Sequence, residues 1–162
     1  MTSDRIRPIA PDDVPAVVGL VHELAVYEKL PELCHLTPEQ LQAALFGPSP
    51  ALHGHVALGE SGSIVGYALW FLNFSTWEGV HGIYLEDLYV RADKRGSGLG
   101  KELLLTLTRI AQERGYARVE WSVLDWNTPS IDFYRSLGAV SMDGWSTFRL
   151  DGEALRTAAG SS

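Results

Sequence analysis

The sequence predicts an α/β protein, helices laid on a sheet, and three observations carry the prediction. Two segments of helical periodicity come first. Three apolar and aromatic runs of strand length follow, parted only by short turns. Helix and strand signals then alternate towards the C-terminus. At 162 residues, 46% of them hydrophobic, the chain has room for one core. One domain is therefore expected over residues 1–157, with a frayed tail at 158–162.

"RIRPIA" reads as a short opening strand. In "PDDVPAVVGLVHELAVYEKL", Val17, Leu20, Val21 and Leu24 recur at helical spacing, and Asp12 and Asp13 suit the positive end of the helix dipole. "TPEQLQAALFG" is a second helix, with Thr37 as cap, Pro38 at the first helical position and Gly47 as the stop. The runs at 52–58, 63–74 and 80–91, separated by "GESGS" and "STWEG", form an antiparallel meander. "LGKELLLTLTRIAQERG" sets Leu103, Leu104, Leu107, Ile110 and Ala111 on one face and ends at Gly115, a left-handed terminator. "ARVEWSVL" alternates as a strand, and "NTPSIDFYRSLG" is a short helix between a cap at Asn127 or Thr128 and Gly138. "WSTFRL" is the last strand.

Charge narrows the function classes. The net charge of −7 argues against nucleic-acid binding. Residues 1–90 carry 3 basic and 11 acidic groups, residues 91–118 carry 7 and 3, and the remainder 3 and 6. The only basic segment therefore surrounds one glycine-rich stretch, an arrangement that suits an anionic ligand there and a cationic one elsewhere. Scattered surface charge accounts for the composition equally well. No apolar run approaches the roughly 18 residues of a membrane span, so no membrane association is expected. The single cysteine, Cys34, has no internal disulfide partner, and without a charged-then-apolar leader a reducing, cytoplasmic setting is expected.

The glycine-rich stretch is "RGSGLGKE", Arg95 to Glu102. A nucleotide P-loop needs four residues between its first glycine and the Gly-Lys pair, then Ser or Thr; here three intervene and Glu102 follows Lys101. A dinucleotide fingerprint needs G-x-G-x-x-G after the first strand, whereas this is G-x-G-x-G after about the fourth. What survives is general physics: unpaired N–H groups at a helix start, a favourable dipole, and glycines that permit close approach of an anion such as a pyrophosphate. A lone turn of this kind reads more simply as glycine serving backbone angles, but Arg95 and Lys101 bracket this one with positive charge.

Here the sequence resembles the GNAT acetyltransferase family, whose R/Q-x-x-G-x-G/A signature at a helix start holds the pyrophosphate of acetyl-CoA. "RGSGLG" matches every fixed position. "HELAVYEKL", "FSTWEG", "YLEDLYVRADKRGSGLG", "VLDWNTPSIDFYRSLGA" and "GWSTFRL" extend the likeness over roughly residues 5–150, to the spermidine/spermine N-acetyltransferase branch, which includes thialysine acetyltransferases. The resemblance implies a mixed, mostly antiparallel sheet of six to seven strands with about four helices, splayed near strands four and five to admit the pantetheine arm. It implies acetyl-CoA as co-substrate, with Arg95, Gly96, Ser97, Gly98, Leu99, Gly100 and Lys101 at the pyrophosphate and Leu88, Val90, Asn127 and Tyr134 along the arm. Helix capping accounts for Asn127 equally well.

Acetyl transfer to an amine poses two proton problems. An alkylammonium with a pKa of about 10 must lose a proton before it attacks, and the departing thiolate benefits from gaining one. Glu86 and Asp87 are neighbours in a predicted strand, so their side chains should point to opposite faces. By resemblance Glu86 is the base, acting through water, and it meets the substrate; Leu85 and Leu88 give it a partly apolar setting, which raises a carboxylate's pKa. For Asp87 a solvent-facing residue or half of a salt bridge is the better reading. Tyr134, seven residues after Asn127 on the same helix face, is by resemblance the acid; outside its "PSIDFY" context it would read as a core aromatic.

Tyr27, Glu28 and Trp77 match positions that line the amine pocket in the branch, and an acid beside aromatic walls suits an alkylammonium. Reading "YEKL" as a helix end and Trp77 as a loop aromatic serves equally well. The segment "AVSMDGW" is short and offers Asp143 where polyamine enzymes carry a longer, glutamate-bearing stretch, a departure that bears on which amine is accepted. His53 and His55 share a strand face, but no third ligand is suitably spaced and no metal is expected. The expected function is acetyl transfer from acetyl-CoA to a primary amine of a small cationic substrate, by direct attack in a ternary complex. Polyamine is the first acceptor class and a lysine-like amino acid such as thialysine the second. The reading from another class is a non-catalytic acyl-CoA-binding module, against which Glu86 and Tyr134 count. The branch also implies a homodimer.

Overall fold

In the computed structural model, which describes residues 4–160, the strands form one mixed sheet in the order β1-β2-β3-β4-β5. β1 (Ile6–Pro8), β2 (His53–Leu58), β3 (Ile64–Ser75) and β4 (Val80–Val90) pair antiparallel in sequence order, and β5 (Val119–Glu120) runs parallel to β4. Five helices accompany them: α1 (Val14–Tyr27), α2 (Pro38–Phe46), α3 (Leu99–Arg114), α4 (Thr128–Ser136) and α5 (Gly152–Ala158). The chain divides into two compact units that meet in sequence at Ser122 and Val123. The sheet and α1–α3 make the first unit; α4 and α5 belong to the second.

Local chemistry fixes the helix ends. Thr37 accepts a hydrogen bond from Gln40 N at 3.2 Å while the Gln40 side chain accepts one from Thr37 N, so both groups satisfy donors that helix geometry leaves orphaned at the start of α2. Gly47 ends α2 for a steric reason, since its φ is −71° and a Cβ there would lie 2.5 Å from the Ala43 carbonyl oxygen. Asp13 does more than complement a dipole: it is buried and takes both guanidinium nitrogens of Arg7, at 2.6 and 2.9 Å. That bonding holds its carboxyl below the usual range.

The core lies on both faces of the sheet. Val56, Tyr67, Leu69 and Tyr89 pack with Val14, Val17, Val18 and Leu20 of α1 and Leu41 and Leu45 of α2. On α3, the predicted apolar stripe buries Leu103, Leu104, Leu107 and Ala111. Truncating any of these leucines to alanine is expected to cost about 2–5 kcal/mol.

Two irregularities in β4 matter for the site. Leu69 pairs with Asp87 and Trp70 with Leu85, which leaves Glu86 without a partner in a β-bulge. The extra residue resets the alternation: Leu85 shares a face with Trp70, while Asp87 joins Tyr67, Leu69 and Tyr89 on the face that packs against α1. Secondly, β4 meets β5 only at Ile83 and Tyr84. From Leu85 to Val90 it has β3 on one side and no described strand on the other.

The sheet has five strands among the described residues, fewer than the six to seven expected. "ARVEWSVL" contributes only Val119 and Glu120. "WSTFRL" pairs with nothing in the described sheet, and its apolar side chains lie open, Trp145 72% and Phe148 94% exposed. Alternating apolar residues give a segment strand propensity without supplying a partner, which is why the pattern overstated the sheet. The tail expected from residue 158 begins instead as the last turn of α5, an element the sequence reading lacked; residues 161 and 162 lie outside the described part.

Candidate active site

The start of α3 has the features an anion site needs. Gly96 and Gly98 adopt φ of +84° and +85°, a region open to glycine and strained for other residues, and Gly98 is the helix N-cap. No side chain caps the first turn, so its N–H groups are not satisfied by a capping residue. Gly100 differs: a Cβ there would touch Leu88 and Val90 at an ordinary 3.8 Å, so glycine or alanine fits against β4. Ser97 and Lys101 are exposed and Leu99 is buried. Arg5 braces the turn from β1's approach, donating to Ser97 O at 3.1 Å and pairing with Glu102 at 2.7 Å.

Arg95 connects this turn to the end of α1. Its Nε donates to Val90 O at 3.1 Å, and its guanidinium lies 4.6 Å from the Tyr27 ring centroid and 5.4 Å from that of Tyr89. Tyr27 and Glu28 are presented there because α1 stops abruptly. Lys29 adopts φ +66°, and the bonds Lys29 N to Val26 O and Leu30 N to Ala25 O close a Schellman motif with lysine where glycine is usual. Burial pushes the Glu28 carboxyl up.

Asp87 occupies a different place from the one its sequence context implied. It is half-buried, and the hydroxyl of Tyr67, a side chain with no solvent exposure, donates to its Oδ2 at 3.3 Å. Burial first, then the negative charges of Glu86 and Glu28, raise its pKa to about 6. Burial and the Asp87 charge also push the Tyr67 phenol well up, with Glu28 and Cys34 adding to it. Glu86 is exposed, so the partly apolar setting expected for it belongs instead to Asp87. The signal that pointed to Asp87 was Tyr67 itself, because a phenol inside "IVGYALWF" must find a hydrogen-bond partner when buried.

The first unit thus brings together Tyr27, Glu28, Asp87 and Arg95, with Leu88 and Val90 on the unpaired stretch of β4. Trp77 does not join them. It is 87% exposed in the β3–β4 turn, roughly 20 Å along the strand from Asp87 at about 3.3 Å per residue. In the second unit Asn127 caps α4, accepting from Ser130 N at 3.4 Å, and Tyr134 lies two turns along the same helix. The histidine pair has a packing role: Trp70 Nε1 donates to His55 Nδ1 at 3.2 Å, and His53 lies 4.6 Å from the Trp70 ring. Among the described residues no group of three His, Cys, Asp or Glu side chains is placed to hold a metal.

Residues 21–139 match the acetyltransferase (GNAT) family. The chain is 39% identical, over 99% of each sequence, to a thialysine N-epsilon-acetyltransferase from Sus scrofa. It is 32% identical over 93% of its length to a human spermidine/spermine N(1)-acetyltransferase-like protein 1, of which it covers 23%. In fold it is similar to an integron cassette protein from V. cholerae, with a TM-score of 0.80 over 96% of this chain and 97% of the other at 24% identity. The chain belongs to the acetyltransferase (GNAT) family, as an acetyl-CoA-dependent N-acetyltransferase.

Proposed function

We propose that the protein transfers the acetyl group of acetyl-CoA to a primary amine of a small lysine-like acceptor such as thialysine, by direct attack in a ternary complex. The observation that carries the reading is the meeting, in one unit, of Tyr27, Glu28 and Asp87 with the glycine turn of α3 through Arg95. The likeness to thialysine acetyltransferases over the whole chain supports reading a lysine-like acceptor ahead of the polyamine that the sequence reading put first. Polyamine is the second reading, favoured by the likeness to the spermidine/spermine protein.

The residues present fit acetyl-CoA. Left-handed Gly96 and Gly98, the uncapped first turn of α3 and the unpaired stretch of β4 are what a pyrophosphate and an extended amide-bearing arm require. Arg95 to Lys101 would hold the pyrophosphate, and Leu88, Val90, Asn127 and Tyr134 the arm. When bound, the co-substrate supplies an acetyl thioester. Tyr27 and Glu28 orient the amine by cation–π attraction and charge. By resemblance one carboxylate of the Glu86–Asp87 pair on β4, Glu86 on the sequence reading, receives the amine's proton, while the Tyr134 hydroxyl gives one to the sulfur.

Residues 1–157 act as one domain on this reading, supported by a family match that runs across both compact units. A homodimer follows from the resemblance, and Trp77, out of reach of Glu28 within one chain, is the group a second copy would supply. A reducing, cytoplasmic setting fits the lone Cys34. Steady-state kinetics and acetyl-CoA binding of Tyr134→Phe test the chemistry. Turnover is expected to fall by about 10²-fold or more with acetyl-CoA affinity held within about threefold; unchanged turnover would remove Tyr134 as the acid.

A further inference from the structure

We propose that Asp87, and not its exposed neighbour Glu86, takes the proton from the acceptor's ammonium, with buried Tyr67 positioning it. The inference rests on the reading of acetyl transfer to an amine and reassigns the group that makes the amine nucleophilic.

The bulge carries the first part of the argument. Two adjacent carboxylates on a regular strand would differ only in face; here Glu86 is the extra residue, exposed, while Asp87 is set on the α1 face with Tyr67 and Tyr89. That face ends at Tyr27 and Glu28, the candidate acceptor residues. Asp87 also lies midway along the stretch of β4 that β5 leaves unpaired, where the thioester arm is proposed to run. It therefore stands where the amine face and the co-substrate edge cross.

The second part is restraint. The hydroxyl of wholly buried Tyr67 fixes Oδ2 of Asp87 and leaves its other oxygen to accept a proton. Among the described residues neither Asp87 nor Glu28 forms a salt bridge. The titratable groups that face Asp87 are Tyr67 from β3, Glu28 from the end of α1 and Glu86 on its own strand, with Cys34 acting on Tyr67. These are neutral or negative, and the nearby cation, Arg95, lies over the Tyr27 and Tyr89 rings and bonds Val90 O, so the groups acting on Asp87 favour a cationic acceptor. A base whose pKa stands at about 6 is matched to work near neutral pH, where Asp87 is mostly ionised before the amine arrives.

The protons balance. Asp87 takes one ammonium proton before attack and later releases it to water. The C–N bond then forms as the C–S bond breaks. The departing sulfur takes up the second proton that the nitrogen sheds, so each turnover yields amide, free CoA thiol and one proton.

The test is the pH dependence of kcat/KM with thialysine as acceptor, read as CoA thiol release, for the wild type, Asp87→Asn, Asp87→Glu, Glu86→Gln and Tyr67→Phe. The wild type is expected to show an acid limb near pH 6. Asp87→Asn should lose the limb and about 10²–10⁴-fold in rate while still binding acetyl-CoA, Asp87→Glu should restore a limb, and Glu86→Gln should keep it. Tyr67→Phe removes a hydrogen bond that favours the ionised carboxylate, so its limb should move to higher pH, a shift that mere loosening of the core would not produce. If Glu86→Gln abolishes the limb and Asp87→Asn retains it, the assignment to Asp87 is overturned while acetyl transfer stands. A wild type that acetylates no amine would overturn both.

Discussion

Half-buried Asp87 and buried His55 are titratable groups with opposite effects on stability. The Asp87 carboxyl is raised from 3.8 to about 6, so the native state binds its proton more tightly than the unfolded chain does. Stability from this group is present below the unfolded value and lost as pH rises through about 6. Asp87→Asn is therefore expected to stabilise the protein at pH 7.5 by on the order of 2 kcal/mol, a gain that fades towards pH 4. His55 is the reverse. Burial first, and then the positive charges of His53 and Arg114, lower it from 6.5 to about 4, so it destabilises the fold as pH falls below 6.5. His55→Gln should flatten that acid loss. Urea melts of both variants between pH 4 and 8 separate the two effects, and parallel curves for variant and parent would contradict them. The sequence showed the residue types here but not their environments. Sequence context assigned the apolar setting to Glu86 and the solvent to Asp87, the bulge reverses the two, and a bulge formed by non-glycine residues leaves no mark in "YLEDLYV".

At the scale of elements, legibility followed local chemistry. Helices α2 and α3 could be read nearly to the residue because Thr37, Pro38, Gly98 and Gly115 each satisfy or end a backbone pattern within a few positions. "WSTFRL" could not be resolved because pairing depends on a neighbour distant in sequence. The signature turn itself separates two demands on glycine. Gly98→Ala must hold a side chain at φ +85°, and is expected to lose about 1–2 kcal/mol and to weaken acetyl-CoA binding. Gly100→Ala, whose Cβ meets Leu88 and Val90 at 3.8 Å, should melt within a degree or two of the parent or above it, since alanine is the better helix former. Thermal melts of the pair, with acetyl-CoA titrations, check this; equal losses at both positions would mean that space rather than backbone conformation governs the turn.

Across the whole molecule, charge and fold point in one direction. An acidic chain of net charge −7 carries 7 of its 13 basic groups in residues 91–118, the segment that holds the glycine turn, and sets Glu28 near Asp87, an arrangement that suits an anionic co-substrate at the turn and a cationic amine beside the carboxylates. The family was legible from "RGSGLG" and "NTPSIDFYRSLG" because both are short, local and bound to one chemistry. The acceptor was not, since the residues proposed to receive it come from α1, β3 and β4, far apart in sequence. Release of CoA thiol from acetyl-CoA with thialysine, lysine, spermidine, putrescine or no amine tests the central claim most directly. Rapid release with thialysine, at a kcat/KM about tenfold or more above spermidine, is the expected result. Release no faster than the blank with every amine, while acetyl-CoA still binds, would contradict it and leave an acyl-CoA-binding protein.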